Sequence, residues 1–119
     1  LKKINYLKLK DYKNSIKYLS QFNSDDQILS SLAKGSIGDC FIQLDQLEDA
    51  LDYYEKAIDI NTNDYTTAMY LLKAAHVSME LNKNKKSYNY FSRIKSDFPN
   101  NIAAENIDVF IAKAKALLK

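Results

Sequence analysis

The stretch GDCFIQLDQLEDALDYYEKAIDINTND, residues 38–64, decides how this chain folds. Small residues stand at Gly38, Ala50 and Ala57, and large apolar ones at Phe41, Leu44, Leu47, Tyr54 and Ile60. From Leu47 to Ile60 the apolar residues return every three or four positions, which is the stripe of a helix. The polar pair Asp45-Gln46 precedes this stripe and Asn61-Thr62-Asn63-Asp64 follows it. Asn, Asp and Ser favour turns and helix N-caps because their side chains bond nearby backbone groups. The stretch therefore reads as the end of one helix, a short turn and a second helix. Small residues let the two helices cross closely, and large ones fill the groove beside them.

The pattern recurs outside this stretch. Leu44, Leu47, Ala50, Tyr54, Ala57 and Ile60 lie 37 positions before Leu81, Asn84, Ser87, Phe91, Ile94 and Asp97. An upstream set, Leu9, Tyr12, Ser15, Leu19 and Phe22, is offset by 35. Only two Gly and one Pro occur, and short polar breaks fall at Lys10-Asp11, Asn23 to Asp26, Asp45-Gln46, Asn61 to Asp64, Asn82 to Asn84 and Pro99 to Asn101. These breaks predict about seven helices, at 1–9, 12–22, 26–44, 47–60, 65–81, 84–97 and 101–118. Short loops make successive helices antiparallel neighbours.

These residues resemble the tetratricopeptide repeat, a helix–turn–helix unit of about 34 residues. The likeness is best at Gly38, Phe41, Leu44, Leu47, Ala50, Tyr54 and Ala57. It is fair at Ala75, Leu81, Ser87, Phe91, Ile94 and Pro99, and partial at Tyr6, Leu9, Tyr12, Ser15 and Leu19. Asp45 stands where the family often has Gly, and Thr62 where it often has Pro. The resemblance implies an all-α, right-handed superhelical solenoid. It would form a single domain over 1–119, with hairpins at about 1–22, 26–60 and 65–97 and a capping helix at 101–118.

Composition narrows the function. The chain has 119 residues, 46% hydrophobic and 27% charged, which suits one globular domain. No apolar run nears the roughly 20 residues of a membrane span. The chain starts at Leu1 without an initiator Met, as expected of a processed or trimmed piece, and an upstream signal or anchor stays open. The net charge of +2 is unevenly spread: residues 1–23 carry +5, residues 24–64 carry −8 and residues 65–119 carry +5. Such blocks set electrostatic preferences for partners.

Candidate chemistry is sparse. Cys40 is the only cysteine, so no intrachain disulfide forms, and a buried inert thiol is favoured over a redox role. His76 is the only histidine, with Glu80 one turn on. A weak local pair is favoured over a catalytic base, which needs a partner in reach. One Cys and one His do not make a four-ligand zinc site. Asp45, Glu48, Asp49, Asp52, Glu55 and Asp59 lack the order of a calcium loop and read as a solvated outer face. The segment LKKINYLKLKDYKNSIKY, residues 1–18, interleaves six Lys with Tyr6, Tyr12 and Tyr18. Lysine with aromatics can bind nucleic acid, but the tyrosines coincide with repeat positions and core roles are favoured.

By alignment to the family, the concave groove would be lined by Gly35, Asp39, Ile42 and Gln43 in one repeat. In the next it would be lined by Met69, Leu72, His76, Met79 and Glu80. Two methionines on such a face suit an apolar helix or peptide, with core filling as the plain alternative. Some relatives hold a C-terminal carboxylate in a Lys/Asn clamp, and Gly35 and Asp39 occupy those positions here. The expected function is therefore a non-catalytic scaffold that binds a protein or peptide and takes no cofactor. Self-assembly through complementary charge and weak nucleic-acid binding through the basic N-terminal segment are the alternatives. A looser resemblance to bacterial, membrane-anchored accessory subunits of protein export implies a membrane-associated complex on the periplasmic side.

Overall fold

The computed structural model describes residues 6–118, with Tyr6 described in its backbone only. The described residues form α1 (Tyr6–Ser20), α2 (Gln27–Gln43), α3 (Leu47–Ile60), α4 (Thr66–Glu80), α5 (Asn84–Asp97) and α6 (Ile107–Ala116). A short 3₁₀ turn, Ile102–Ala104, lies before α6. The fold class is all-α, and sequential helices pack as antiparallel pairs, consistent with a tetratricopeptide-like array. The chain divides between Asn61 and Thr62 into two compact units.

In the first unit, α2 packs against both α1 and α3. Asp26 caps α2 because its carboxylate accepts the backbone N–H groups of Ile28 at 2.9 Å and Leu29 at 3.3 Å. The α2–α3 crossing is built on small residues. Gly38, Ala50 and Ala57 are buried, and Tyr54 fills the space beside them. Buried Ser31 donates its hydroxyl to the Ala57 carbonyl at 3.0 Å, which satisfies the polar group at the crossing. Ile37 and Leu51 complete the core.

The turn after α2 is closed by the backbone. Asp45 takes φ 59°, Asp45 N–H donates to the Ile42 carbonyl at 3.0 Å, and Gln46 N–H donates to Phe41 at 2.9 Å. This is a Schellman motif with Asp in the left-handed position usually held by Gly. The same motif ends α4. Asn82 has φ 60°, and Asn82 and Lys83 donate to Met79 at 3.1 Å and Ser78 at 2.8 Å. Asp45 and Asn82 are 37 residues apart, the spacing of the sequence repeat. Asp and Asn tolerate this conformation better than other non-glycine residues because their short polar side chains bond locally.

In the second unit, Asn63 organises the start of α4. Its Oδ1 accepts the N–H groups of Tyr65 at 2.8 Å and Thr66 at 2.7 Å, and its Nδ2 donates to the Thr66 hydroxyl at 2.7 Å. Tyr70, Leu71, Ala74, Ala75, Phe91 and Ile94 form the α4–α5 core. Ser87 takes the place that Ala50 holds in the first unit, and it is fully buried. α6 packs on α5, where the Phe110 ring stacks on Phe91 at 5.3 Å. Asn84 Nδ2 donates to the Leu117 carbonyl at 3.1 Å.

Three expectations need correction. The break at Lys10-Asp11 is absent, and one helix runs through Tyr6–Ser20, giving six described α-helices where about seven were expected. Neither Lys nor Asp stops a helix unaided, and no Gly or Pro lies nearby. Leu9, Tyr12, Ile16 and Leu19, half-buried at spacings of three, four and three, face α2 as a single stripe. Ser15 is exposed and marks no close crossing. Residues 1–5 of the helix expected at 1–9 lie outside the described residues. The capping helix expected at 101–118 is interrupted: Asn106 turns left-handed at φ 60°, and the regular helix begins at Ile107.

Candidate protein-binding surface

α4 carries Met69, Leu72, His76, Met79 and Glu80 at helical spacing, so they share one side of the helix. At its N-terminal end this side opens into a cleft of about 340 Å³. Tyr65, Met69 and Leu72 line it from α4 and the residue before it, and Ile102 and Ala103 line it from the 3₁₀ turn. Ile102 is 85% exposed and Tyr65 66% exposed. Large apolar side chains that open to water around a cleft are what a binding surface offers. Asn101 fixes the far wall: its Nδ2 donates to the Asp64 carbonyl at 2.7 Å and its Oδ1 accepts Ala103 N–H at 2.9 Å.

Further along the same side, His76 meets α5 and α6. Its ring stands edge-on to Phe110 at 4.7 Å and to Phe91 at 5.1 Å. His76 is exposed overall, and partial desolvation against these rings lowers its imidazole pKa; the Glu80 charge counters that shift and Lys113 adds to it. The imidazole thus packs one side on phenyl rings and leaves the rest of the ring open to water. Met79 is half-buried and Glu80 exposed.

The other expected groove residues belong to the first unit. Asp39 is held by Tyr54, whose hydroxyl donates to Asp39 Oδ1 at 2.6 Å. Ile42 and Gln43 are half-buried near the end of α2, and Gly35 is buried. Cys40 is half-buried, which corrects the expected full burial. Burial raises its thiol pKa and the neighbouring Asp39 charge adds to the rise. A thiol so held is a weak nucleophile at neutral pH.

The remaining candidates carry less. On α3, Glu48, Asp52 and Asp59 are exposed, and Lys56 lies over the Tyr53 ring at 4.3 Å. Among the described residues, no group of three or more His, Cys, Asp or Glu is placed to hold a metal ion. Tyr12 is half-buried and Tyr18 exposed, and six residues of helix put them on different sides of α1, so they share no stacking face. Lys2 and Lys3 lie outside the described residues.

The sequence missed Tyr65, Ile102 and Ala103. Ile102 and Ala103 fall inside the helix expected at 101–118; the break read at Pro99 to Asn101 marks a turn but does not show that it continues as a 3₁₀ turn.

A tetratricopeptide repeat family model matches residues 33–64, which run from within α2 through α3 and the following turn. No curated protein and no solved structure matches the chain significantly. Nothing among these comparisons supports the likeness to export accessory subunits. Tetratricopeptide repeats generally mediate protein–protein interactions, and scaffolds of this kind are typically non-catalytic. No described helix is long and apolar enough to cross a membrane.

Proposed function

We propose that this chain is a non-catalytic protein-binding module that receives a peptide or helix on the first helices of its hairpins. On α4 the contact surface comprises Met69, Leu72, His76, Met79 and Glu80. The first unit offers its own candidate contact residues, Asp39, Ile42 and Gln43 on α2. The observation that carries this reading is the apolar cleft beside Met69 and Leu72, walled by exposed Ile102. Burying a few such side chains stabilises a complex by about 1.5–3 kcal/mol each before ordering costs. That sum suits micromolar binding. Membership of a membrane-associated complex rests on sequence resemblance alone.

The test starts from a partner isolated by photo-crosslinking through a probe at Leu72. Replacing Met69 and Met79 with Asp should abolish its capture and leave helicity intact. Reversing charge at Glu48 and Asp52 should weaken only a salt-sensitive component. If the Asp variants still bind and the charge-reversed variants do not, the interface is the outer face of α3.

A further inference from the structure

Asp64 belongs to two adjoining hollows of the second unit. It closes the apolar cleft at one end, where it is the only charged lining residue. It also lines a polar hollow with Asp97, Phe98, Pro99, Asn100 and Asn101. Asn101 is common to both hollows, and its side chain is committed at both ends to Asp64 and Ala103 backbone. Asp97 is bound to Arg93 at 3.3 Å, so its charge is partly offset. The Asp64 side chain is exposed, and its carboxylate accepts no hydrogen bond among the described residues. Residues 65–119 carry +5, yet neither hollow is lined by a basic side chain. With Asp64 included, the second unit from residue 62 still carries a net positive charge, and an apolar slot opens there beside a carboxylate.

We propose that the cleft takes an extended peptide segment in which a large apolar side chain is followed or preceded by lysine or arginine. The apolar side chain lies between Met69, Leu72 and Ile102. The cation reaches Asp64 in the adjoining hollow, with Asp97 extending the negative surface. Apolar contact supplies most of the affinity, and the charge selects the sequence. This assignment depends on the cleft being the protein-binding site, and it adds the chemistry of the partner.

Selection of displayed random peptides on the immobilised full chain tests it, followed by anisotropy measurements on synthetic versions of the enriched peptides. Enriched sequences should pair Leu, Ile, Met or an aromatic with Lys or Arg. Asp64→Lys should weaken them about tenfold at low salt and less at high salt. Met69→Asp should abolish binding with helicity retained. Peptides that lack a basic residue, or that ignore Asp64→Lys while depending on Met69, overturn the charge assignment and leave the protein-binding reading standing. Peptides indifferent to Met69→Asp, or no enrichment at all, overturn the cleft as the site. Concentration-dependent association of the chain with itself, lost in Asp64→Lys, makes the occupant a second copy and overturns the partner assignment.

Discussion

Gly38 lies directly against the ring of Tyr54: a Cβ built on Gly38 would stand 2.7 Å from Tyr54 Cε1 and 3.2 Å from the Ala50 carbonyl oxygen. The ring cannot swing away cheaply. Tyr54 is 2% exposed and its hydroxyl is tied to Asp39, on the same helix as Gly38. Gly38→Ala should therefore lower stability, although Ala is the better helix former by about 1 kcal/mol. Overpacking costs about 1–3 kcal/mol, so a net loss of up to about 2 kcal/mol is expected in urea melts. A variant as stable as the parent means the crossing has room to open.

Ala50 and Ser87 occupy matching places in the two hairpins, and both are fully buried. Ala50→Leu should overpack and cost about 1–3 kcal/mol. Ser87→Ala should act in the opposite direction. The Ser87 hydroxyl is buried and has no hydrogen-bond partner among the described residues, and an unmet buried polar group costs about 1–3 kcal/mol. Thermal melts should show Ser87→Ala above the parent and Ala50→Leu below it. A fall in melting temperature for Ser87→Ala would reveal a polar partner for that hydroxyl.

His76 should make stability depend weakly on pH, because its ring is partly desolvated yet still exposed. Its folded-state pKa is lowered from the ordinary 6.5 because partial desolvation against Phe91 and Phe110 disfavours the cation. The unfolded chain then takes up a proton more readily than the folded one. The contribution is fully present above pH 6.5 and is lost as pH falls through the folded pKa. His76→Leu should flatten the dependence of melting temperature between pH 7.5 and pH 5.5. An unchanged slope assigns the dependence to other groups.

Cys40 should label slowly. Burial, then the Asp39 charge, raise its pKa above the ordinary value, so little thiolate is present at pH 7. A maleimide or disulfide reagent should react faster in denaturant than in buffer. Native labelling at the denatured rate would show an open thiol.

The repeat was legible in sequence where geometry forces residue type. Leu44-Asp45-Gln46 and Leu81-Asn82-Lys83 sit 37 apart because both close Schellman turns, which need a residue tolerant of positive φ. Ala50 and Ala57 were legible because close crossings admit only small side chains. α1 was misread because its apolar stripe fits a second helix of a hairpin and one continuous helix equally well. Lys10-Asp11 supplies polarity without a backbone constraint. The cleft was half legible. Met69 and Leu72 follow from helical spacing, whereas Ile102 depends on a 3₁₀ turn that periodicity does not encode. The hydrogen bond from Tyr54 to Asp39 spans fifteen residues, and no local pattern signals it.

The pairing of α1 with α2, α2 with α3, α4 with α5 and α5 with α6 has a kinetic consequence. Each pair joins helices adjacent in sequence, so bringing them together closes only a short loop. Loop-closure entropy grows slowly with length and is small here. Chains dominated by local contacts collapse to their native arrangement in microseconds to milliseconds. Neither unit must search for a distant strand or hold an unpaired edge while it waits. A chain emerging slowly from its site of synthesis would thus bury α2 against α3 before α4 exists.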